Sequence, residues 1–107
     1  MAARNLFTFD EVTLCTYAAL YDVNDFGGKK TITQITGRSI ASISMKIQNI
    51  AAMLDDKGVA RYSSESPLTG TPRGQPARET HWHEIQPLLV LSREDFKKKC
   101  FAILART

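Results

Sequence analysis

The sequence predicts a mainly α domain with a small β element, an α+β fold built on a helix-turn-helix-like core. One observation is the helical pattern of residues 39–54, where Ile and Leu recur at alternating spacings of three and four. A second is a short apolar pattern just before it, separated from it by Gly37. A third is that residues 59–91 hold short apolar runs between Pro, Gly and Ser residues, which is typical of loops and short strands.

The chain length of 107 residues suits a single domain with one hydrophobic core. We expect a helical core at 6–58, a loop and small β element at 59–91, and a C-terminal helix at 92–105. Cys15 and Cys100 lie in apolar helical patterns without a second cysteine at metal or redox spacing, which predicts buried, reduced thiols. The sequence has no signal-peptide pattern and no apolar run of about 20 residues, which predicts a cytoplasmic protein without a membrane partner.

The first helix is predicted from a capping box. Thr8 is its N-cap and Glu11 stands three residues later, while Phe7 and Val12 are spaced as a hydrophobic staple. The helix continues to about Tyr21, and the glycines and Asx residues of 22–28 then predict a loop.

A helix-turn-helix outline follows this loop. Thr31 as N-cap with Gln34 predicts a short second helix to about residue 36, and Gly37 permits the positive φ of a tight turn. Ser39 is the predicted N-cap of the long helix, which ends near residues 55–57 with Gly58 as a left-handed cap. Other helical hairpins show the same outline. Five apolar residues of the long helix form one stripe that we expect to be buried: Ile40, Ile43, Ile47, Ile50 and Leu54.

The opposite face of the long helix is predicted to point outward. It is small and polar and holds no acid, whereas an ordinary solvated face carries pairs of Glu and Lys. Small side chains allow close approach to another surface, and amide side chains read base edges, so the face resembles that of a recognition helix. An internal helix whose exposed face is merely poor in charge is the alternative. The predicted outward residues are Ala41, Ser42, Met45, Gln48, Asn49 and Ala52, with Lys46 at the flank.

Positive charge gathers around this helix, although the net charge of the chain is only +3. Residues 26–54 contain four basic residues and no acid. The loop at 63–78 adds Arg73 and Arg78 and suits a wing that follows a phosphate backbone, with a plain flexible loop as the alternative. The predicted DNA contacts are Lys29, Lys30, Arg38, Ser39, Ser42, Met45, Lys46, Gln48, Asn49, Arg73 and Arg78.

The last third of the chain predicts the β element and a final helix. Residues 80–85 alternate as a strand does, residues 88–91 are an apolar run after Pro87, and residues 59–62 can pair with them in a small sheet. Ser92 as N-cap begins a helix whose Phe96, Cys100, Ile103 and Leu104 share one face.

The sequence predicts a protein without enzymatic activity, cofactor or metal. His81 and His83 would share one face of a strand, with Glu79 or Glu84 nearby, but a functional zinc site needs three or four ligands. The chain has neither a phosphate-binding loop of Walker type nor a serine nucleophile elbow.

The segment Gly-Arg-Ser-Ile-Ala-Ser-Ile-Ser-Met-Lys-Ile-Gln-Asn-Ile-Ala at 37–51 resembles a segment of a non-catalytic N-terminal module of bacterial HNH-type restriction endonucleases. The resemblance covers roughly residues 9–58, about half of the chain, and the HNH nuclease part itself is lacking. It implies a DNA-binding role without cleavage, with contacts at Arg38, Ser39, Ser42, Lys46 and Asn49. These residues and Ser44 are alternatively structural, for example with Asn49 bracing a neighbouring loop.

Two functions follow as expectations. The first is a small DNA-binding protein of bacterial or phage origin that binds double-stranded DNA through the helix at 39–54, as a homodimer where the DNA site is palindromic. The second is a protein-interaction module, such as a phage-encoded inhibitor of a host defence system, that docks through Met45 and Met53 on the small-residue face. A metal-dependent nuclease built on His81 and His83 is a third and weaker hypothesis.

Overall fold

The computed structural model describes residues 7–63 and 81–106. In these ranges the chain is mainly helical, which confirms the predicted mainly α class. The elements in chain order are α1 at Phe9–Leu20, a 3₁₀ helix at Val23–Phe26, α2 at Lys29–Thr36, α3 at Ile40–Asp56, α4 at Trp82–Ile85, a second 3₁₀ helix at Gln86–Val90 and α5 at Arg93–Ala105.

Helix α1 is the central element, because its residues from Val12 to Leu20 are all buried and it packs against both α3 and α5. Its predicted capping box is confirmed. The Thr8 hydroxyl accepts a hydrogen bond from the Glu11 backbone N–H, and the Glu11 carboxylate accepts one from the Thr8 N–H at 2.8 Å. Phe7 packs on the core before the helix begins. The sequence-local signals therefore fix where the central helix starts.

Helices α2 and α3 pack against each other across a three-residue turn of Gly37, Arg38 and Ser39. Gly37 has a φ of 73° and its N–H donates to the Thr33 carbonyl, which ends α2 as a left-handed cap. The Ser39 hydroxyl accepts from the Ser42 N–H at 3.1 Å and begins α3. The turn and its N-cap are thus confirmed.

The predicted N-cap of α2 at Thr31 is wrong by three residues. The helix begins at Lys29, and Gly28 takes the N-cap position with a φ of 92° and no side-chain cap. Thr31 therefore lies within the first turn, where its N–H donates to the Gly28 carbonyl. A glycine with positive φ lets the chain turn into the helix before the hydroxyl residue is reached.

The apolar stripe of α3 is confirmed except at its first member. Ile43, Ile47, Ile50 and Leu54 are buried in the core, whereas Ile40 is 53% exposed. Ile40 is the first residue of α3, where the chain leaves the turn before the helix enters the core. Beyond the stripe, the predicted left-handed cap that ends α3 is confirmed, because the glycine after its C-cap has positive φ.

The predicted small β element is wrong for the described residues. Residues 82–85 form α4, and residues 86–90 form a 3₁₀ helix that tolerates Pro87 in its first turn. Ile85 and Leu88 are both buried three positions apart, which is a helical rather than an alternating pattern. No strand forms at 59–62 either, where Tyr62 donates its N–H to the Leu20 carbonyl at the end of α1. The predicted wing falls mainly on residues 64–80, which lie outside the described ranges.

Helix α5 closes the core as predicted. Ser92 is its N-cap, and Phe96, Cys100 and Ile103 are buried against the rest of the core while Leu104 is half-buried. Among the helices of the described ranges, none has the length and the apolar character needed to cross a bilayer.

Candidate functional site

The exposed side of α3 and the turn before it form the candidate site. We call it the α3 face and define it by Ser39, Ala41, Ser42, Met45 and Gln48. A pocket of about 370 Å³ opens at one end of this face. Its walls belong to the end of α2, to the turn and to the first turn of α3, where backbone N–H groups and the helix dipole favour anions. The pocket is lined by Thr36, Gly37, Arg38, Ser39 and Ser42.

The α3 face is narrower than the sequence predicts. Met45 is 59% exposed, and Ser42 and Gln48 are half-buried at the edges. Asn49 and Ala52 are buried at 9% and 8% exposure, so their predicted placement on the outward side is wrong. The burial of Asn49 fits the alternative in which this amide braces the fold.

Arg38 is predicted to meet phosphate, and the structure places it against α1 instead. Its Nε donates to Glu11 Oε2 at 3.1 Å and its Nη2 donates to Glu11 Oε1 at 3.0 Å, a bidentate ion pair. The guanidinium also lies 3.9 Å from the centre of the Phe7 ring. The charge of Arg38 is therefore largely balanced within the protein, and the side chain fastens the turn to the start of α1.

Lys46 is the second predicted phosphate contact that lies inside the fold. It is only 8% exposed, and its Nζ lies 2.9 Å from Nδ1 of His81, the residue that begins α4. Burial lowers the pKa of Lys46, and burial together with the nearby Lys46 charge lowers the pKa of His81. His81 therefore contacts the Lys46 side of α3 from a distant part of the chain.

The remaining predicted cations lie at the start of α2 or outside the described ranges. Lys30 is exposed and Lys29 is half-buried at the first turn of α2. Arg73 and Arg78 lie outside the described residues. Within the described ranges, positive charge at the α3 face is therefore weaker than the sequence predicts.

Two features of the site escape sequence reasoning. One is the exposure of Ile40. Its spacing places it in the apolar stripe, and spacing alone assigns every member of the stripe to the core. The other is the pair of contacts from Glu11 and His81, which reach Arg38 and Lys46 from 27 and 35 residues away along the chain. No local spacing signals such contacts.

The histidines and cysteines of the described ranges are the candidates for metal binding or thiol chemistry. They contain no group of three or more His, Cys, Asp or Glu side chains that could hold a metal ion. His81 and His83 lie at the start of α4 rather than on a strand. Burial raises the pKa of Cys15 to about 12 and that of Cys100 to about 12, which opposes thiolate chemistry at neutral pH.

Comparison of the chain with protein-family models, with curated proteins and with solved structures gives no match. The resemblance of residues 37–51 to the module of HNH-type endonucleases therefore remains a prediction.

Proposed function

We propose that this protein binds double-stranded DNA without cleaving it, and that α3 is its recognition helix. The observation that supports the proposal is the helix pair α2 and α3, which packs across a three-residue turn and leaves an exposed α3 face. From Ile40 to Leu54 this helix contains no acidic residue that would repel phosphate. The resemblance to a DNA-binding module of restriction enzymes points in the same direction.

In this proposal the α3 face enters the major groove. Ala41 is small enough for close approach, Met45 contacts apolar groups such as the thymine methyl, and the Gln48 amide hydrogen-bonds adenine. The hydroxyls of Ser39 and Ser42 at the pocket, with the first amides of α3, hold a backbone phosphate. Lys29, Lys30 and the arginines of the 63–78 loop, as arm or wing, add phosphate contacts. The protein would act in a bacterial cytoplasm and be of bacterial or phage origin, as a homodimer on a palindromic site.

A second candidate function is docking to a protein, such as a component of a bacterial defence system. Ile40 and Met45 are both more than half exposed and lie at the same end of α3. Arg38 is ion-paired with Glu11 and Lys46 is buried, which reduces the positive charge presented beside these two apolar side chains. Methionine on an exposed face suits adaptable protein contacts. Met53, predicted to take part in this contact with Met45, is fully buried, so that part of the prediction is wrong.

The experiment that separates the two functions is a fluorescence-anisotropy titration of the full chain with random duplex DNA, with and without modified bases. DNA binding through phosphates weakens steeply with salt, so affinity is measured at two salt concentrations. Micromolar binding with a steep salt dependence supports the DNA proposal. Absence of binding at low salt overturns it and favours the protein partner.

Two variants test the assigned contacts in the same assay. Lys30→Ala should weaken binding to all sequences and lower the salt slope by about one, because it removes one phosphate contact. Gln48→Ala should instead reduce the discrimination between preferred and random sites. Lys98→Ala, which removes an exposed lysine of α5, is the matched control and should leave both quantities unchanged.

A further inference from the structure

A second pocket of the described structure lies where α1 ends, and we call it the Tyr62 pocket. It measures about 190 Å³, and its lining shares no residue with the α3 face or with the pocket beside that face. Two tyrosine rings and a carboxylate line it together with smaller groups: Ala18, Tyr21, Asp22, Val23, Asn24, Tyr62 and Ser63. The proposed DNA contacts do not use this pocket, and its own side chains indicate a different ligand.

The ring of Tyr62 is an exposed surface for stacking. It lies parallel to the Tyr21 ring, with 7° between the two planes and 5.6 Å between the two centroids, which is an offset stack. The backbone N–H of Tyr62 donates to the Leu20 carbonyl at 2.8 Å and ties this segment to the end of α1. Tyr62 nevertheless remains 71% exposed. A large aromatic ring is therefore held at the surface with much of its area open to a planar group.

The carboxylate of Asp22 brings a negative charge to the same pocket. Its Oδ1 accepts a hydrogen bond from the Asn24 N–H at 2.9 Å, which caps the 3₁₀ helix and orients the carboxylate. An ionised carboxylate accepts several hydrogen bonds through its two oxygens, so the cap leaves capacity for a ligand. Within the described ranges, no lysine or arginine lies at ion-pair distance from Asp22.

Two arginines near the pocket are engaged with other carboxylates. Arg93 pairs with Asp25 at 2.8 Å, and Arg61 makes a bidentate pair with Asp55 at 2.8 and 3.1 Å. These pairs balance each other's charge, whereas the charge of Asp22 stays unbalanced among the described residues. A phosphate would find no lysine or arginine in the lining, and a cation would meet a carboxylate. Charge complementarity therefore favours a cationic ligand.

The contact of Arg93 shows which cation suits these partners. Its guanidinium lies 5.1 Å from the centre of the Tyr21 ring, and its Nη2 donates to the Asp25 carboxylate. One planar cation thus stacks on a tyrosine and pairs with a carboxylate at the same time. Tyr62 and Asp22 offer the same two kinds of partner in the neighbouring pocket. A guanidinium matches both because it is planar and holds its donors in a fork that fits a carboxylate, whereas a lysine ammonium is a compact point charge.

We propose that the Tyr62 pocket binds an arginine side chain of a protein partner. In the complex the guanidinium stacks on the Tyr62 ring and donates to the Asp22 carboxylate, and the side-chain oxygen of Asn24 is a further acceptor in the lining. The site uses none of the residues of the α3 face, so this proposal does not rest on DNA binding.

The binding is tested on the full chain by two-dimensional NMR with N-acetyl-arginine amide as the probe. We expect saturable shifts at the Tyr62 ring and at the Ala18 and Ser63 amides. N-acetyl-lysine amide carries the same charge without the planar fork and should bind at least about fivefold more weakly. Equal binding of the two amides, or no saturable shift with the arginine amide, would overturn the proposal. Tighter binding of guanosine monophosphate would overturn it as well, because the pocket would then take a nucleotide.

Asp22→Asn tests the carboxylate. Asparagine caps a helix as well as aspartate does, so this variant keeps the hydrogen bond from Asn24 and removes only the charge. The arginine amide should bind it at least about fivefold more weakly, because a charged acceptor is replaced by a neutral one. Glu94→Gln, which neutralises an exposed acid on α5, is the matched control and should leave the affinity unchanged. An equal loss in both variants would show that only the total charge matters and would overturn the site.

Tyr62→Leu tests the aromatic ring. This variant keeps an apolar side chain but removes the π face, so the affinity for the arginine amide should fall by at least about threefold. Tyr62→Phe keeps the ring and should bind as the native chain does, because stacking does not need the hydroxyl. The urea midpoint of each variant shows that it is folded. A Tyr62→Phe variant that binds as weakly as Tyr62→Leu would overturn the stacking contact and with it the proposal.

Discussion

Glu11 holds two partners at once and thereby joins the first helix to the turn before α3. One carboxylate oxygen accepts from the Thr8 N–H, and both oxygens accept from Arg38. The side chains of Arg38 and Glu11 are only 14% and 12% exposed, so solvent does not replace a lost partner well. We expect Arg38→Ala to lower the free energy of unfolding by about 1–3 kcal/mol, measured by urea denaturation without DNA.

The matched control for Arg38 is Arg106→Ala, which removes an exposed ion pair with Asp10. Exposed pairs contribute little, so this variant should unfold at nearly the native urea concentration. An Arg38→Ala variant as stable as the native chain would show that Arg38 does not brace the turn. Its assignment as a phosphate contact would then regain support.

The two isoleucines at the start of α3 provide a second test at the scale of single residues. Ile43 is fully buried and Ile40 is 53% exposed, although both belong to the stripe that spacing assigns to the core. Ile43→Ala should cost about 2–5 kcal/mol of stability because it leaves a cavity, whereas Ile40→Ala should change stability by less than about 0.5 kcal/mol. Thermal unfolding of the two variants side by side measures this difference. Equal losses would mean that Ile40 is also covered in solution.

Some helices of this chain can be predicted from their own residues, and others cannot. Thr8, Ser39 and Ser92 each cap a helix through an N–H only three residues away, so the signal and the structure it predicts are local. α4, in contrast, could not be predicted from its own residues. Its alternating pattern spans too few residues to distinguish a strand from one helical turn, and the helical turn is the conformation in which both Ile85 and Leu88 are buried.

Ser39 carries a prediction at the scale of the element because it begins α3. The hydroxyl satisfies one of the four N–H groups that a helix leaves free at its start. We expect Ser39→Ala to cost about 1 kcal/mol of stability and Ser39→Asp, which restores the cap, to recover it. The denaturant midpoints of the native chain, Ser39→Ala and Ser39→Asp, measured without DNA, give the contribution of the cap to stability. A loss that Ser39→Asp does not recover would mean that the hydroxyl has another structural role.

The same pair of variants separates the cap from a DNA contact. Ser39→Asp keeps the helix but places a negative charge at the pocket, so it should weaken DNA binding strongly while stability is retained. Unchanged DNA affinity in Ser39→Asp would remove the pocket from the proposed interface. Denaturation thus reports the role of Ser39 as a helix cap, and DNA affinity reports its role as a phosphate contact.

At the scale of the whole molecule, topology decides which predicted contacts are accessible. Residue type and spacing identify Arg38, Lys46 and Asn49 as polar residues away from the apolar stripe, and this much is correct. Glu11 of α1 contacts Arg38 and His81 contacts Lys46, both from distant parts of the chain, and Asn49 is buried as well. The sequence could therefore assign the candidate site to a helix and to its exposed side, but not the edge at which Lys46, Asn49 and Ala52 become buried.

Acidification should weaken the whole fold in two separate pH windows. The pKa of His81 is lowered by burial and by Lys46, so below about pH 6.5 the unfolded chain binds the proton more readily and stability falls. The pKa of Asp25 is lowered by its hydrogen bond from the Tyr17 hydroxyl and by Arg93. Its contribution is complete above its ordinary pKa of about 3.8 and is lost as the pH falls further. Urea midpoints measured from pH 8 to pH 3 should therefore fall in two steps.

For each of the two falls in the urea midpoint, one variant should remove or reduce the fall. His81→Asn cannot take up the proton and should remove the step below pH 6.5 while leaving the lower one. Asp25→Asn should lower stability near neutral pH, because Arg93 and Tyr17 lose a charged partner, and should reduce the step below pH 4. A single step in the native chain that neither variant moves would mean that other carboxylates govern acid unfolding. Two independent steps would show that the Asp25 contacts and the His81 contact respond to protons separately.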